Sequence, residues 1–219
     1  RPGTRFGPRE IRNFSARYSG WGGSQQKGYW DINQNKRFLE DISMSDCGDV
    51  DVAYYDIERN RKIITQTVKK ILKAGTFPVV IGGDHSITYP SICAFEDFKS
   101  LDIIQIDAHL DWIDEVDGIR YANGSPMRRS MELDFTNKMV QLGIRCIRSR
   151  ESDYNFAKSQ GSQIFTRQDI RQKGVDEIVE KLPPLGNVYV SIDIDGLDPS
   201  IAPGTGSPTV DGLLYYEVI

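Results

Sequence analysis

Ile103-Ile-Gln-Ile-Asp107-Ala-His109-Leu-Asp111 is a short apolar run that breaks into alternating acidic and imidazole side chains. Two other runs end in the same way. Phe77-Pro-Val-Val-Ile-Gly-Gly-Asp84-His85-Ser86 delivers the only other histidine, and Val188-Tyr-Val-Ser-Ile-Asp193-Ile-Asp195-Gly-Leu-Asp198-Pro199 delivers carboxylates alone. Short apolar runs of this kind read as buried strands. Residues two apart on a strand face the same side, a period shared by Asp107, His109 and Asp111 and by Asp193 and Asp195. Burying that much charge without compensation is prohibitive. Divalent cations would supply the compensation.

Working outward, the spacing predicts an early helix from Pro8, with proline in its first turn. Residues 19–50 read as a long polar surface excursion, and Asp51–Tyr55 as a short strand. The apolar stripe of Ile57, Ile63, Ile64, Val68, Ile71 and Leu72 predicts a helix over 57–74, with Gly75 as its C-cap. Strands are expected at Pro78–Ile81, Asp102–Ile106, Lys138–Ile144, Ser162–Phe165 and Asn187–Ile194. Helices are expected at Tyr89–Phe98, Ser152–Ser159 and Thr166–Leu182, the last with Thr166 as N-cap and Pro183-Pro184 as its stop. Strand alternating with helix implies a mostly parallel sheet covered by helices on both faces. Sites in such sheets lie outside the carboxyl ends of the strands, where all three acidic clusters fall.

The 219 residues suffice for one sizeable core, and 39% hydrophobic and 26% charged residues are ordinary for a globular protein. A net charge of −4 without a basic stripe argues against a nucleic-acid partner. No apolar stretch approaches the roughly 18 residues of a membrane span. Cys47, Cys93 and Cys146 form no CxxC pair, which fits reduced thiols in a cytoplasmic protein.

Asp107, Asp111, Asp193 and Asp195 balance the charge of two divalent cations, and neutral His85 and His109 complete the donor set. An oxygen-rich site with two imidazoles suits Mn²⁺ over a thiolate-loving metal. Two such cations roughly 3.5–4 Å apart can share a water and lower its pKa.

Gly82-Gly83-Asp84-His85-Ser86, Asp107-Ala108-His109-Leu110-Asp111 and Ser191-Ile-Asp193-Ile-Asp195-Gly196-Leu197-Asp198-Pro199 resemble the three signature motifs of the ureohydrolase family, which includes arginases, agmatinases, guanidinobutyrases and formiminoglutamases. Arg5-Phe6-Gly7-Pro8, Gly124-Ser125-Pro126-Met127-Arg128-Arg129 and Ala202-Pro203-Gly204-Thr205-Gly206-Ser207-Pro208 resemble its agmatinase-like branch. The resemblance implies a three-layer α/β/α arginase-like fold. It implies two Mn²⁺ per chain, one on His85 and Asp111 and one on His109 and Asp195, with Asp107 and Asp193 bridging. Asp84 and Asp198 are not ligands in this reading. It further implies a single ureohydrolase domain over 1–219, a piece of a longer chain with terminal elements missing. A homo-oligomer, trimer or hexamer, is the family's pattern.

At the substrate end, Gly212-Leu-Leu-Tyr-Tyr-Glu217 resembles the family segment whose glutamate grips the guanidinium. A carboxylate accepting two parallel charge-assisted hydrogen bonds suits that planar cation. Asn123 stands where the family usually has a histidine that shuttles a proton to the leaving amine, and asparagine does not titrate. The loop after Asp111 carries Asp114, Glu115 and Asp117, which would attract a terminal ammonium as in agmatine. It and the next segment also carry Arg120, Arg128 and Arg129, which would bind a carboxylate as in guanidinobutyrate. The implied activity is a manganese-dependent amidinohydrolase, agmatinase-like, converting agmatine to putrescine and urea. The alternatives are a guanidino-acid hydrolase such as guanidinobutyrase and a non-catalytic partner subunit.

Overall fold

The structure, a computed structural model, describes residues 3–17 and 28–219. Its frame is a parallel sheet of four strands, β3 (Leu101–Ile106), β4 (Thr136–Ile144), β5 (Gln163–Thr166) and β6 (Val188–Ile192), in the order β5-β4-β3-β6. Ile103 pairs with Met139 on one side and Tyr189 on the other. A separate antiparallel hairpin joins β1 (Tyr29–Asp31) to β2 (Lys36–Phe38).

Alternation along the strands sends apolar side chains to both faces. Leu101, Ile103 and Met139 enter a core with Trp112, which follows β3, and with Ile92, Met127 and Ala157, supplied by α3 (Thr88–Ile92), α4 (Pro126–Met131) and α5 (Glu151–Ser159). Ile106 and Leu142 face the opposite way, toward Ile170 of α6 (Arg167–Lys173) and Ile178 of α7 (Val175–Glu180). Helices on both faces are what a parallel sheet requires, since its strands are buried on each side.

The helix expected over 57–74 is α2 (Ile57–Lys73). Asp56 caps it by accepting the Arg59 N–H at 2.9 Å, and Ile64 and Val68 are its buried positions. The early helix is α1 (Gly7–Ser15). At the far end, α8 (Tyr215–Val218) lays Val218 against the α6 core.

Several local expectations differ from the structure. Pro78–Ile81 forms no strand, and Val79 is 74% exposed. Its apolar run reads as a buried strand, yet no described strand lies alongside it. Asp51–Tyr55 is not a strand, and Tyr54 and Tyr55 are exposed. The helix expected over 166–182 divides into α6 and α7 at Gly174, whose φ of 83° no helix accommodates. The helix expected over 89–98 shrinks to α3 and a 3₁₀ turn at Cys93–Phe95. The polar excursion over 19–50 contains the β1–β2 hairpin, while residues 18–27 lie outside the described residues. No described helix is long and apolar enough to cross a membrane.

Candidate metal centre

The carboxyl ends of β4, β3 and β6 are laced together. Asp107 donates its N–H to Leu142 at 3.1 Å, and Asp193 donates its N–H to Ile106 at 2.9 Å. Asp193 then caps a 3₁₀ turn, Ile194–Gly196, by accepting the Asp195 N–H at 3.1 Å. Gly196 packs its backbone against β3 so closely that a Cβ would lie 3.0 Å from the Asp107 nitrogen. His85 opens a second 3₁₀ turn, which Asp84 caps through the Ser86 N–H and hydroxyl. His85 Nε2 shares a 2.8 Å hydrogen bond with Ser191 Oγ of β6, which holds the ring over the sheet end. Asp111 has a φ of 56°, a left-handed backbone uncommon outside glycine and often found at functional sites.

Nδ1 of buried His85 is 2.6 Å from Asp111 Oδ2, 3.1 Å from Asp107 Oδ2 and 3.6 Å from Asp193 Oδ2. None of these oxygens lies where a ring N–H would donate well, so Nδ1 makes no hydrogen bond. His109 Nδ1 lies 3.4 Å from Asp107 Oδ1 and 3.3 Å from Asp195 Oδ2. Two donor groups result: His85 with Asp107 and Asp193, and Asp107 with His109 and Asp195. Asp107 belongs to both. A buried imidazole nitrogen surrounded by carboxylate oxygens, yet unbonded to any of them, is a donor array facing a common point. Nitrogen and carboxylate donors without thiolate fit a hard or borderline divalent cation.

The protonation balance shows the same demand for positive charge. Burial, reinforced by the neighbouring Asp107 charge, pushes Asp111 up to about 6. Burial with Asp107 and Asp195 nearby does the same to Asp193, also about 6. Asp107 is driven up by burial, but the His109 and His85 imidazoles facing its oxygens, with the His109 N–H, outweigh this and hold it well below the ordinary carboxylate range. His109 is lifted to about 11 by Asp107 and then Asp195. Burial opposes the charged form of His85, but Asp107 and Asp111 raise it well above the ordinary imidazole value. Protons on these groups offset the repulsion among the buried carboxylates.

Behind the cluster lies a buried polar chain with little local signal in the sequence. Gln105 donates to Asp107 Oδ2 at 2.7 Å, and Gln141 donates to Gln105 and to the Leu110 carbonyl. Trp112 Nε1 and Ser162 Oγ both donate to Gln141 Oε1, at 3.0 and 2.9 Å. Two glutamines inside apolar strands were the available clue. Arg145 follows β4 and donates to the carbonyls of Asp195 and Thr209, both at 2.6 Å, tying the β6 turn to the next loop. Asp198 accepts the N–H groups of Ser200 and Gly212, a turn role and not a ligand's.

Glu217 sits in α8 and not in a loop. Its Oε1 accepts from Arg167 Nη1 at 2.9 Å and its Oε2 from the Leu214 N–H at 2.8 Å. The carboxylate thus already holds a guanidinium, that of Arg167. Asn123 is exposed and lines a cavity of about 260 Å³ together with Asp84 and Ser86, the residues flanking His85. Asp114 is surrounded by arginines: Arg129 at 2.5 Å, Arg128 at 3.2 Å and Arg120 at 3.7 Å. It is therefore engaged and not free to receive an ammonium.

The arginase family model matches residues 1–219. The guanidinobutyrase of Pseudomonas aeruginosa is 34% identical over the whole chain, which spans 68% of that protein. The mitochondrial agmatinase of Gallus gallus is also 34% identical over the whole chain, which spans 64% of it. Among solved structures, the proclavaminate amidino hydrolase of Streptomyces clavuligerus superposes with a TM-score of 0.82 at 31% identity, covering all of this chain and 71% of that one. The parallel sheet with helices on both faces is the fold these structures share. With the family matched from end to end and the acidic clusters gathered at one edge of that sheet, the chain belongs to the arginase family.

Proposed function

We propose that the protein is a binuclear manganese amidinohydrolase that splits a small guanidino compound into an amine and urea. The observation that carries this reading is Asp107, whose two oxygens face His85 and His109 separately and so serve both donor groups. His85 and Asp111 would hold one cation and His109 and Asp195 the other, with Asp107 and Asp193 between them. When bound, the pair supplies Lewis acidity and a water of lowered pKa at neutral pH.

The net reaction adds the oxygen of water to the guanidino carbon and breaks that carbon's bond to the alkyl nitrogen. Both protons of the water end on the leaving amine. Glu217 would orient the substrate guanidinium, which requires one carboxylate oxygen to pass from Arg167 to the substrate. Asn123 lines the approach but can only donate or accept a hydrogen bond, so protonation of the amine falls to water or another group. The reading also takes a homo-oligomer from the family resemblance and a cytoplasmic enzyme from the cysteine pattern.

Agmatine is the substrate that the sequence resemblance favours, and a guanidino acid is the alternative. A non-catalytic subunit is the second reading, and Asn123 is the feature that favours it. Urea release by the full-length protein with added Mn²⁺, over agmatine, arginine, guanidinobutyrate, guanidinopropionate and formiminoglutamate, tests the proposal. Turnover of one or more compounds supports hydrolysis; silence on all of them, with metal bound, supports the partner subunit.

A further inference from the structure

The charged residues that line the 260 Å³ cavity beside Asn123 are Arg61 and Asp84. Arg61 of α2 reaches into it, and its guanidinium lies 3.5 Å from the ring centre of Tyr121 and 5.1 Å from that of Tyr89. The two rings stack on each other 5.4 Å apart. Flat stacking of this kind fixes the plane of a guanidinium and is unavailable to lysine. Arg61 Nη1 is held by exposed Glu58 at 2.7 Å, while Arg61 Nε is buried without a hydrogen-bond partner.

A second arginine backs the first. Arg129 is almost wholly buried and lines, with Arg61 and Tyr121, a small void next to this cavity. Its Nη2 serves Asp114 and Glu132, but its Nε and Nη1 have no partner. Three acidic side chains near these arginines, Asp84, Asp114 and Glu132, are engaged, while Glu115 and Asp117 are exposed. Asp114 and Glu132 are shared among Arg120, Arg128 and Arg129, and Asp84 caps the Ser86 turn. Arg120, Arg128 and Arg129 outnumber Asp114 and Glu132 behind the cavity, whose own lining carries Arg61 and Asp84.

Both sides of the cavity are anchored next to metal-centre residues. Ser86 follows His85 directly. The Asn123–Arg129 side is clamped to Asp111, whose carbonyl accepts the N–H groups of Met127 and Arg128 at 3.2 and 3.4 Å. Ile113 donates to Gly124 at 2.9 Å and closes the loop between them.

We propose that this cavity receives the far end of the substrate and that Arg61, backed by Arg129, binds a carboxylate there. The substrate class is then a linear guanidino acid and not a guanidino amine. This rests on the amidinohydrolase reading and narrows it.

The test compares guanidinobutyrate with agmatine, which carry the same guanidino group and differ chiefly in the charge at the far end. Urea release and calorimetric binding are measured on the full-length, Mn²⁺-loaded protein and on its Arg61→Gln and Arg61→Lys variants, with unfolding temperatures as a control. The wild type should prefer guanidinobutyrate. Arg61→Gln should lower that preference about tenfold to a hundredfold, the scale of lost charge-assisted hydrogen bonds. Arg61→Lys should restore only part of it, since charge returns without the stacked plane. The Kd for guanidinobutyrate should weaken in the same order. A wild type that prefers agmatine, or an Arg61→Gln variant that affects both compounds equally, would overturn the subsite. Urea from neither compound defeats the hydrolase reading instead, and the calorimetric preference then decides the subsite on its own.

Discussion

The two ends of β3 each bury an aspartate, and the two could hardly be treated more differently. Asp102, at the amino end, accepts from the Gly186 N–H at 2.7 Å, the Asn137 amide at 3.0 Å and the Lys138 N–H at 3.1 Å. Asp107, at the carboxyl end, meets two imidazoles, and Asp193 and Asp195 stand close enough to repel it or one another. The first carboxylate is satisfied by neutral donors and stitches β3 to β4 and to the chain leading into β6. The second belongs to a group whose negative charge is not matched by donors. Burial alone does not mark a site; a buried group whose partners share its charge does.

That contrast can be attacked at several points. The largest expected effect is at Asn123. A positioned general acid contributes typically about 10²–10⁴-fold, so Asn123→His should raise kcat toward that scale with metal content unchanged. A wild-type enzyme slowed by the histidine would show that Asn123 is part of a tuned pocket. Glu217→Gln comes next, with an expected fall of about tenfold to a hundredfold in kcat/KM and both metals retained. Kinetics within twofold of wild type would assign Glu217 to Arg167 alone, as a structural ion pair.

Asp102→Ala sharpens the comparison directly. It leaves three donors unpaired in a buried place and should cost about 1.5–3 kcal/mol of stability in chemical denaturation. Metal stoichiometry should not change. Loss of metal in a folded Asp102→Ala protein would mean that the two ends of the strand are not separable.

The smallest effect is one of pH. Asp111 and Asp193 titrate near 6 in the metal-free fold, raised above the ordinary carboxylate value by burial first. Their burial therefore favours the metal-free fold while they are protonated, and that contribution is lost as pH rises through about 6. Cations bind the deprotonated forms. The rise in unfolding temperature produced by Mn²⁺ should thus be full at pH 8 and shrink as pH falls through 6. A shift independent of pH from 5 to 8 would place the cation elsewhere.

The gathering of carboxylates and imidazoles was legible because its residues sit in local motifs at the ends of recognisable strands, as Asp107, His109 and Asp111 do. The alternation of elements likewise gave the parallel sheet. What stayed hidden depends on distant partners. Pro78–Ile81 has the composition of a strand, but strand identity requires a neighbour that the described chain does not place beside it. The guanidinium of Arg61 acquires meaning only beside Tyr121, sixty positions away, and Gln105 only through Asp107 and Gln141. The role of Asp114 depends in the same way on residues beyond its own loop. The sequence left an ammonium site and a carboxylate site both open there, and Arg128 and Arg129 of the following helix pair with Asp114.

Manganese stoichiometry in the folded, full-length protein is the most direct test of the centre. Elemental analysis after equilibration with Mn²⁺ at pH 8 should find two ions per wild-type chain. An Asp107→Ala variant should hold neither, because one carboxylate serves both donor groups. One ion or none in the wild type, or two ions retained without Asp107, would contradict a binuclear site built on that residue.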